Sequence, residues 1–388
     1  MTPSPDIDVA IAGAGVIGAS TAWHLAQAGL RVAIIDAEGP AAAASGASDG
    51  AVSVASKKPG VMARLASASL AHTATLAKGG PLSRAFRRRP SFLFGQGPEE
   101  AAALDALAAK LAQIGGPVSV ENDGGAALLP GCGMGVDRIV RLMGEGHMPG
   151  HKAVHGYLAS AGDRVQRIWP ARLKGHEADA TGVTLDLGMS QLRAGFLIVA
   201  AGLGAGELWP QLPLIPRAGQ LIVTDSGPAG VLPGALTAAA YLLAKTRDGA
   251  PPPRPPVVID PLSTGQYLVG STREAHGDPR LNDFATIAAL MERAAAVWPP
   301  LLGRRIIRIF TGVRAAVADG LPVFGTLPDS PRVLLATGFE GDGICLSALI
   351  GREAARIACG DGVTAGLEAD LAALSPTRFT KHARWGAA

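Results

Sequence analysis

The chain opens with two short apolar runs separated by a glycine turn and a helical stretch. Ile7 to Ala12 and Val32 to Ile35 are almost wholly apolar, which is typical of strands buried on both faces of a parallel sheet. The residues between them have the apolar spacing of a helix, and Gly29 suits the left-handed position at its C-terminus. The pattern predicts a strand, a turn, a helix and a second strand over residues 7–36.

The turn between the first strand and the helix carries the motif Gly13-Ala-Gly15-Val-Ile-Gly18. The first glycine permits a tight turn, the second lets the backbone approach a pyrophosphate, and the third lets the helix pack closely on the strand. Asp36 ends the second strand, where a carboxylate can accept hydrogen bonds from ribose hydroxyls. The combination predicts a site for the ADP half of a dinucleotide, with the pyrophosphate at the helix N-terminus.

The middle of the chain changes from helical to strand-like spacing. Pro98 to Ile114 has helical spacing, and Val118 to Leu129 alternates as a strand does. Four further runs are separated by turn residues and predict an antiparallel sheet distinct from the nucleotide unit. These runs are Gly219–Thr224, Ala240–Lys245, Pro256–Asp260 and Gln266–Gly270, and a predicted helix, Phe284–Val297, follows them.

The chain closes with a second unit of strand, glycine loop and helix. Arg332 to Ala336 predicts the strand, Thr337 to Gly343 the loop, and Ile344 to Cys359 an apolar helix. Two such units could place two helix N-termini on one extended cofactor, where the positive end of a helix dipole would stabilise a reduced, anionic flavin. The alternative is two unrelated strand-to-helix turns.

Composition narrows the class of protein. With 388 residues and 48% hydrophobic residues, the chain can bury a large core, and two domains are expected. A net charge of +3 is too small to indicate nucleic acid as a partner. No apolar run is long enough for a membrane span, and the N-terminus lacks signal-peptide features. Cys132, Cys345 and Cys359 are far apart, which predicts reduced thiols in a cytoplasmic protein.

Several segments together resemble the FAD-dependent D-amino-acid oxidase and glycine oxidase superfamily. They are GAGVIG with Asp36, ASGASDG ending at Gly50, LIVAAGLGAGEL around Gly202, GVRAAVADGLPVFG from Gly312, and LLATGFEGDGICLSALIG from Leu334. The stretches GFEGDGI and VVIDPLSTGQYLVGSTRE further resemble a branch of heteromeric amine and imino-acid dehydrogenases. That branch includes subunits of hydrogen cyanide synthase, opine oxidases and hydroxyproline dehydrogenases.

The resemblance implies FAD as cofactor and an α/β fold with a Rossmann-like FAD-binding domain and an interleaved, mostly antiparallel α+β substrate domain. The implied boundaries are 1–80, 135–205 and 306–388 for the FAD-binding domain, and 81–134 and 206–305 for the substrate domain. The implied flavin contacts are Gly13, Gly15, Val16, Ile17, Gly18, Asp36, Ala44, Ser45, Asp49, Gly50, Val165, Gly202, Gly338, Phe339, Glu340, Gly341, Asp342, Gly343 and Ile344.

The resemblance also implies a substrate site. Arg314 matches the arginine that binds the substrate carboxylate in the family, although Ala315 replaces the usual proline. A guanidinium suits this task because its planar fork meets a carboxylate with two hydrogen bonds. The alternative is a structural arginine that donates to backbone carbonyls. Tyr241 matches a tyrosine that helps to hold the carboxylate, whereas Tyr267 is a weaker candidate because alternation can turn it into the core.

Two acids in the C-terminal glycine loop differ from the residues that many of the oxidases have there. Asp342 is expected to cap the following helix, and Glu340 could steer a cationic amine. His147, His151 and His155 recur at four-residue intervals, but Pro149 and Gly150 argue against one continuous helix, so no metal site is expected.

The resulting hypothesis is an enzyme that oxidises the C–N bond of an amino or imino acid by hydride transfer to FAD, after which water hydrolyses the imine. One alternative is a flavoprotein subunit that passes electrons to a second subunit, touching it through the Pro251–Pro256 loop or the arginines at 84 and 87–89. The other is an NAD-dependent dehydrogenase that uses only the N-terminal unit.

Overall fold

A computed structural model describes residues 7–57, 60–113, 118–240 and 256–382. The strands of these residues are β1 (Ile7–Ala12), β2 (Val32–Ile35), β3 (Ala51–Val52), β4 (Arg87–Arg88), β5 (Ser91–Gly95), β6 (Val118–Glu121), β7 (Arg138–Leu142), β8 (Gly146–His147), β9 (Val165–Ile168), β10 (Gly175–Ala178), β11 (Val183–Asp186), β12 (Gln191–Val199), β13 (Leu214–Thr224), β14 (Ala235–Ala238), β15 (Val258–Pro261), β16 (Tyr267–Gly270), β17 (Ile306–Val317), β18 (Val323–Leu327) and β19 (Ser330–Thr337). The α-helices are α1 (Val16–Gln27), α2 (Val61–Leu76), α3 (Pro98–Gln113), α4 (Gly150–Ala161), α5 (Ala205–Leu208), α6 (Phe284–Val297), α7 (Gly343–Cys359) and α8 (Glu368–Ala372).

The first sheet joins the two ends of the chain. Strands β9, β2, β1, β12 and β19 lie side by side in that order and are all parallel. The β10–β11 hairpin and β18 extend the sheet through antiparallel pairs. Because the strands are parallel, the loops that leave β1, β2, β12 and β19 meet at one edge.

Both faces of this sheet are covered, which explains why β1 is apolar from Val9 onward. Val9 and Ile11 pack in the core formed with α1, α2, α4 and α7, whereas Ala10 and Ala12 pack on the opposite side with Trp209. Successive side chains of a strand point to opposite faces, so the part of a strand that lies between two cores has no polar position. Asp8 lies near the start of β1, outside this part, and pairs with Arg31 at 2.9 Å. The predicted opening unit is confirmed, and so is the closing one.

The second sheet has the order β17-β13-β16-β15-β14-β5-β7-β6. All its pairs are antiparallel except β14 with β5. Helix α6 is capped by the Asp283 side chain and buries Leu290 in the core of this sheet. Tyr267 lies in the same core, where its hydroxyl accepts a hydrogen bond from Trp298 Nε1 at 3.2 Å. The α/β class with a separate, mostly antiparallel sheet is confirmed, as is the assignment of Tyr267 to the core.

Some sequence expectations differ from the structure. The predicted strand over Val118–Leu129 ends at Glu121, because Gly124 and Gly125 both have positive φ and turn the chain. Strands β7 and β17 belong to the second sheet, although the predicted boundaries assign their residues to the FAD-binding domain. The division into domains therefore stays a prediction. The run Ala240–Lys245 lies outside the described residues from position 241 onward.

The arginine run, the membrane question and the cysteines remain from the sequence analysis. The arginine run divides: Arg87 and Arg88 are exposed on β4, whereas Arg89 pairs with the buried Asp260. Among the described residues, no helix is both long enough and apolar enough to cross a bilayer. Cys132, Cys345 and Cys359 are free thiols.

Candidate cofactor and substrate site

The turn between β1 and α1 is built from glycine because side chains do not fit there. Gly13 has φ 109°, and a Cβ on it would lie 2.4 Å from the carbonyl oxygen that follows β12. A Cβ on Gly18 would lie 1.9 Å from the carbonyl oxygen of Gly13. Gly15 is the N-cap of α1, and the first turn, which contains Val16 and Ile17, holds no acidic residue. The positive end of the helix dipole therefore faces a space suited to an anion.

Asp36 lies beside this turn at the carboxyl end of β2. One carboxylate oxygen accepts a hydrogen bond from Ala14 N–H at 2.7 Å, and the other accepts from Glu38 and Gly39 N–H at 2.9 and 2.8 Å. Ser45 Oγ accepts from the first N–H of α1 at 3.0 Å. The structure thus brings Asp36 and Ser45 to the glycine turn, as expected for groups around a nucleotide.

The loop of residues 41–50 continues from there and includes Ala44. The Asp49 carbonyl oxygen lies 3.0 Å from His147 Nε2, and Gly50 has φ 81°. Burial lowers the pKa of His147, which favours its neutral form. His147 therefore packs against this loop. The spacing of the three histidines in the sequence does not indicate that contact.

Val165 is not at this edge. It is the first residue of β9 and pairs with Val32, the first residue of β2, so it lies about 10 Å upstream of the strand end. The residue that reaches the edge is Ala171, whose N–H donates to the Asp36 carbonyl oxygen at 2.8 Å. A backbone contact from this segment to a nucleotide fits Ala171 better than Val165.

The second glycine loop lies at the same edge, because β19 is the neighbour of β12. Thr337 Oγ1 donates to the Gly202 carbonyl oxygen at 2.8 Å, and both Gly202 and Gly338 have positive φ. The loop contains Phe339, which is buried, and Gly341, and α7 begins at Gly343 and Ile344. The first turn of α7 holds no acidic residue. Two helix N-termini therefore open at one edge, next to glycine turns, and this arrangement fits an extended dinucleotide.

Asp342 does not cap α7 as expected. It occupies the N-cap position, but among the described contacts its side chain makes no capping hydrogen bond. Its carboxylate lies 2.8 Å from Lys57 Nζ, and the Lys57 side chain is only 4% exposed. Burial is the largest single influence and opposes the charge of Lys57, but Asp342, with smaller contributions from Cys345 and Glu145, outweighs it and raises the lysine pKa. A buried ion pair fixes the loop, and nothing in the local sequence around Lys57 indicates it.

Arg314 lies on β17 between two contacts with the cofactor loops. A Cβ on Gly312 would lie 2.9 Å from the Ala47 carbonyl oxygen, and Glu340 N–H donates to the Ala315 carbonyl oxygen at 2.8 Å. The Arg314 guanidinium lies over Gly219, where a Cβ would come within 2.1 Å of Nη2. The strand that carries Arg314 thus packs against the first loop and is hydrogen-bonded to the second.

The hydrogen bonds of Arg314 all leave from one nitrogen. Nη2 donates to the carbonyl oxygens of Thr272 at 2.8 Å and Ala218 at 3.4 Å, and these are its partners among the described residues. Backbone carbonyls therefore fix the guanidinium, as the structural alternative expects. These contacts leave Nε and Nη1 without a hydrogen bond to the described residues, and the carboxylate role of Arg314 stays a prediction.

Glu340 is paired with two arginines that no sequence motif singles out. Its Oε1 lies 2.6 Å from Arg273 Nη2 and 3.4 Å from Arg217 Nε, and its own φ is 46°. These distances are those of ion pairs, but the geometry is not that of hydrogen bonds. Glu340 Oε1 and Arg217 Nε are both buried and have no hydrogen-bond partner among the described residues. The segments PRAGQ and STRE contain these arginines, but only their cross-strand position reveals the cluster.

Two other expectations concern residues elsewhere. Tyr241 lies outside the described residues, so its role stays a prediction. His151 and His155 are exposed on α4, whereas His147 is buried on β8. Among the residues that the structure describes, no group of three or more His, Cys, Asp or Glu side chains could hold a metal ion.

Comparisons with known proteins agree with this geometry. Residues 8–357 match the family model described as DAO, FAD dependent oxidoreductase. A tRNA 5-methylaminomethyl-2-thiouridine biosynthesis bifunctional protein from Maricaulis maris is 29% identical over 97% of this chain, which spans 56% of that relative's length. An opine oxidase subunit from Rhizobium meliloti is 26% identical over 96% of this chain and 98% of its own.

The fold is shared with a solved glycine oxidase from Geobacillus kaustophilus, at a TM-score of 0.84 and 24% identity over 97% of this chain and 99% of that one. The resemblance seen in the sequence is confirmed, FAD is the cofactor of the family, and the NAD-dependent alternative is wrong. The match extends over nearly the whole chain, from the first glycine turn through the second. The protein therefore belongs to the DAO family of FAD-dependent oxidoreductases.

Proposed function

We propose that this protein oxidises the C–N bond of a small amino or imino acid, giving an imine that water hydrolyses. The observation that carries the proposal is the position of Arg314, on a strand that contacts both cofactor loops. A guanidinium at this boundary can hold a carboxylate while the neighbouring C–N bond faces the cofactor. The relatives named as a glycine oxidase and an opine oxidase subunit support this class of substrate.

The residues at the two helix N-termini would hold FAD: Gly13 to Ile17 at the pyrophosphate and Gly338 to Ile344 at the second loop. FAD, when bound, supplies the two-electron acceptor of the reaction. The chain's own residues then have a positioning task. Arg314, fixed by the Thr272 carbonyl, orients the substrate carboxylate, and Tyr241 is expected to assist it. Glu340 is engaged by arginines, so its expected contact with an amine would compete with those ion pairs.

The test is anaerobic reduction of the flavin by substrate in Arg314→Leu, Arg314→Lys and the parent protein. We expect Arg314→Leu to bind FAD with an unchanged spectrum but to need much more substrate for bleaching, and Arg314→Lys to recover part of the loss. Arg308→Leu is the matched control, because Arg308 is an exposed arginine on the same strand, about 20 Å away. Unchanged substrate affinity in Arg314→Leu would exclude the proposed role.

A second candidate, a flavoprotein subunit in a heteromer, is favoured by one surface. Leu302, Ile306 and Ile307 are 71%, 43% and 57% exposed, and they lie close together where β17 begins. Exposed apolar side chains in one patch indicate a contact surface. The Pro-rich loop considered as a contact lies outside the described residues at 251–255. Co-purification of a second chain that Ile307→Asp releases, together with dye-linked activity only in the complex, would favour this candidate. The proposal also places this protein in the cytoplasm.

A further inference from the structure

Three arginines project from one face of the second sheet towards the cofactor loops. Arg217 on β13 and Arg314 on β17 are directly opposite each other in the antiparallel register. The isolated bridge between Ala218 and Glu274 places Arg273 opposite Gly219, which is two residues from Arg217 and therefore on the same face. The ion pairs of Arg217 and Arg273 with Glu340 confirm which face this is.

Among the residues that the structure describes, the acidic groups nearby do not balance this charge. Glu274 is on the opposite face, where it accepts a hydrogen bond from Gln220 Nε2 at 2.7 Å and pairs with His276 at 2.9 Å. Glu340 is the carboxylate that the structure places against the arginines. In the described part of the chain, these three guanidiniums and one carboxylate leave an excess of two positive charges on this face.

Such an arrangement is unfavourable without an anion. Like charges directly opposite each other on antiparallel strands destabilise a sheet. Arg217 and Arg314 are such a pair. Arg217 Nε is buried and has no hydrogen-bond partner in the described part of the chain, which is costly for a charged donor. Glu340 reaches Arg273 more closely than Arg217, and so leaves Arg217 as the guanidinium in need of an acceptor.

We infer that the substrate is an amino or imino acid with a second carboxylate, and that Arg217 and Arg273 bind this second group while Arg314 holds the first. The inference rests on the proposed function and refines it to a substrate class. Two carboxylates match the excess of two charges, and arginine is the side chain best suited to binding each in two-point fashion. Glu340 then acts as a counter-ion that the second carboxylate displaces.

The test measures equilibrium binding to the FAD-loaded protein by calorimetry. The probes are succinate, glutarate and adipate, which lack a C–N bond, each against the monocarboxylate of the same chain length. We expect the best dicarboxylate to bind at least about tenfold more tightly than its monocarboxylate. Equal affinity for the two members of every pair would overturn the inference.

Variants locate the second carboxylate. Arg217→Leu and Arg273→Leu should each weaken dicarboxylate binding by about tenfold and change monocarboxylate binding by about twofold at most. Arg308→Leu, the exposed control on β17, should change neither. If either leucine variant loses its flavin or its fold, the corresponding lysine variant replaces it, with a smaller loss expected. A parallel loss of both ligand types, or no loss in either variant, would contradict the assignment.

Glu340→Gln gives an effect of opposite sign. Because it removes the competing carboxylate and keeps the shape, it should tighten dicarboxylate binding by about tenfold and monocarboxylate binding less. A merely structural role of the cluster predicts no gain.

Reduction of the flavin separates this inference from the proposed function. Anaerobic bleaching by monocarboxylic amino acids as readily as by dicarboxylic ones would leave the proposed function standing and refute the second-carboxylate site as a determinant of substrate. Bleaching by no amine, with dicarboxylate binding intact, would refute the proposed function alone.

Discussion

The ion pair between Lys57 and Asp342 should stabilise the protein through coupling that a double-mutant cycle can measure. The Lys57 side chain is 4% exposed and that of Asp342 is 19% exposed, so each substitution leaves the other charge in a largely dry environment. Removing one member of a buried pair typically costs about 3–5 kcal/mol of unfolding free energy. Because Asp342 keeps some solvent contact, we expect the lower end, about 3 kcal/mol, for Asp342→Asn.

The two single variants should differ in how much unfolding free energy they lose. Lys57→Met leaves Asp342, which water partly reaches, and should cost less than Asp342→Asn, which removes the ion-pair partner of the more deeply buried ammonium. The double variant should cost about 2 kcal/mol less than the sum of the two single variants. Asp342→Asn removes the largest contribution that raises the pKa of Lys57, while burial continues to lower it. The pKa of Lys57 should therefore be lower than in the parent protein, and the loss of stability relative to the parent should shrink as pH rises through the range where lysine titrates.

The assay is urea unfolding of the FAD-loaded protein at neutral pH, followed by tryptophan fluorescence with FAD held at one excess concentration. Lys78→Met is the control, because Lys78 is an exposed lysine just after α2. Additive costs in the double variant, or single costs no larger than that of Lys78→Met, would refute the view that this pair holds the second cofactor loop in place.

Three further effects are expected. Burial lowers the pKa of His24 to about 3 and that of His72 to about 4. The unfolded chain therefore binds more protons as pH falls below about 6.5. Between pH 8 and 5 the unfolding free energy should drop by about 2 kcal/mol for the buried His24 and by less for the half-buried His72, which solvent screens, and urea unfolding across that range would show this. Gly18→Ala should release FAD, measured by flavin fluorescence, because its Cβ would lie 1.9 Å from a carbonyl oxygen, whereas Gly175→Ala, with nothing within 4 Å, should retain it. Asp36→Asn should weaken FAD binding by about tenfold, measured by calorimetry, and an unchanged affinity would exclude a ribose contact.

The parts of the fold that the sequence predicts are those set by local chemistry. Gly13 and Gly18 are required by the turn itself. Tyr267 lies in the core as expected, but every residue of β16 is buried, so alternation does not select it. Asp342 shows the limit, because its position is a helix start but its partner, Lys57, is far away in sequence. A cap and a buried ion pair compete for one carboxylate, and only the tertiary structure decides between them.

The substrate face shows the same limit more strongly. Arg217, Arg273 and Glu340 come together because β13, the segment after β16 and the second glycine loop meet, and no spacing within one segment encodes that. A family motif indicates Arg314, whereas its neighbours follow only from the sheet register. The prediction for Val165 has the right segment but the wrong end of its strand, which periodicity does not distinguish.

The central claim, that the protein oxidises C–N bonds with FAD, is tested most directly by the visible absorption of the purified flavoprotein. The protein is mixed without oxygen with a panel of D-, L-, N-alkyl and cyclic amino acids, mono- and dicarboxylic. We predict bleaching of the flavin by members of the panel. Each flavin reduced should release one oxo product and one amine or ammonia from an acyclic substrate, or one ring-opened amino-oxo product from a cyclic one. If dithionite bleaches the flavin but no member of the panel bleaches it, the account is contradicted.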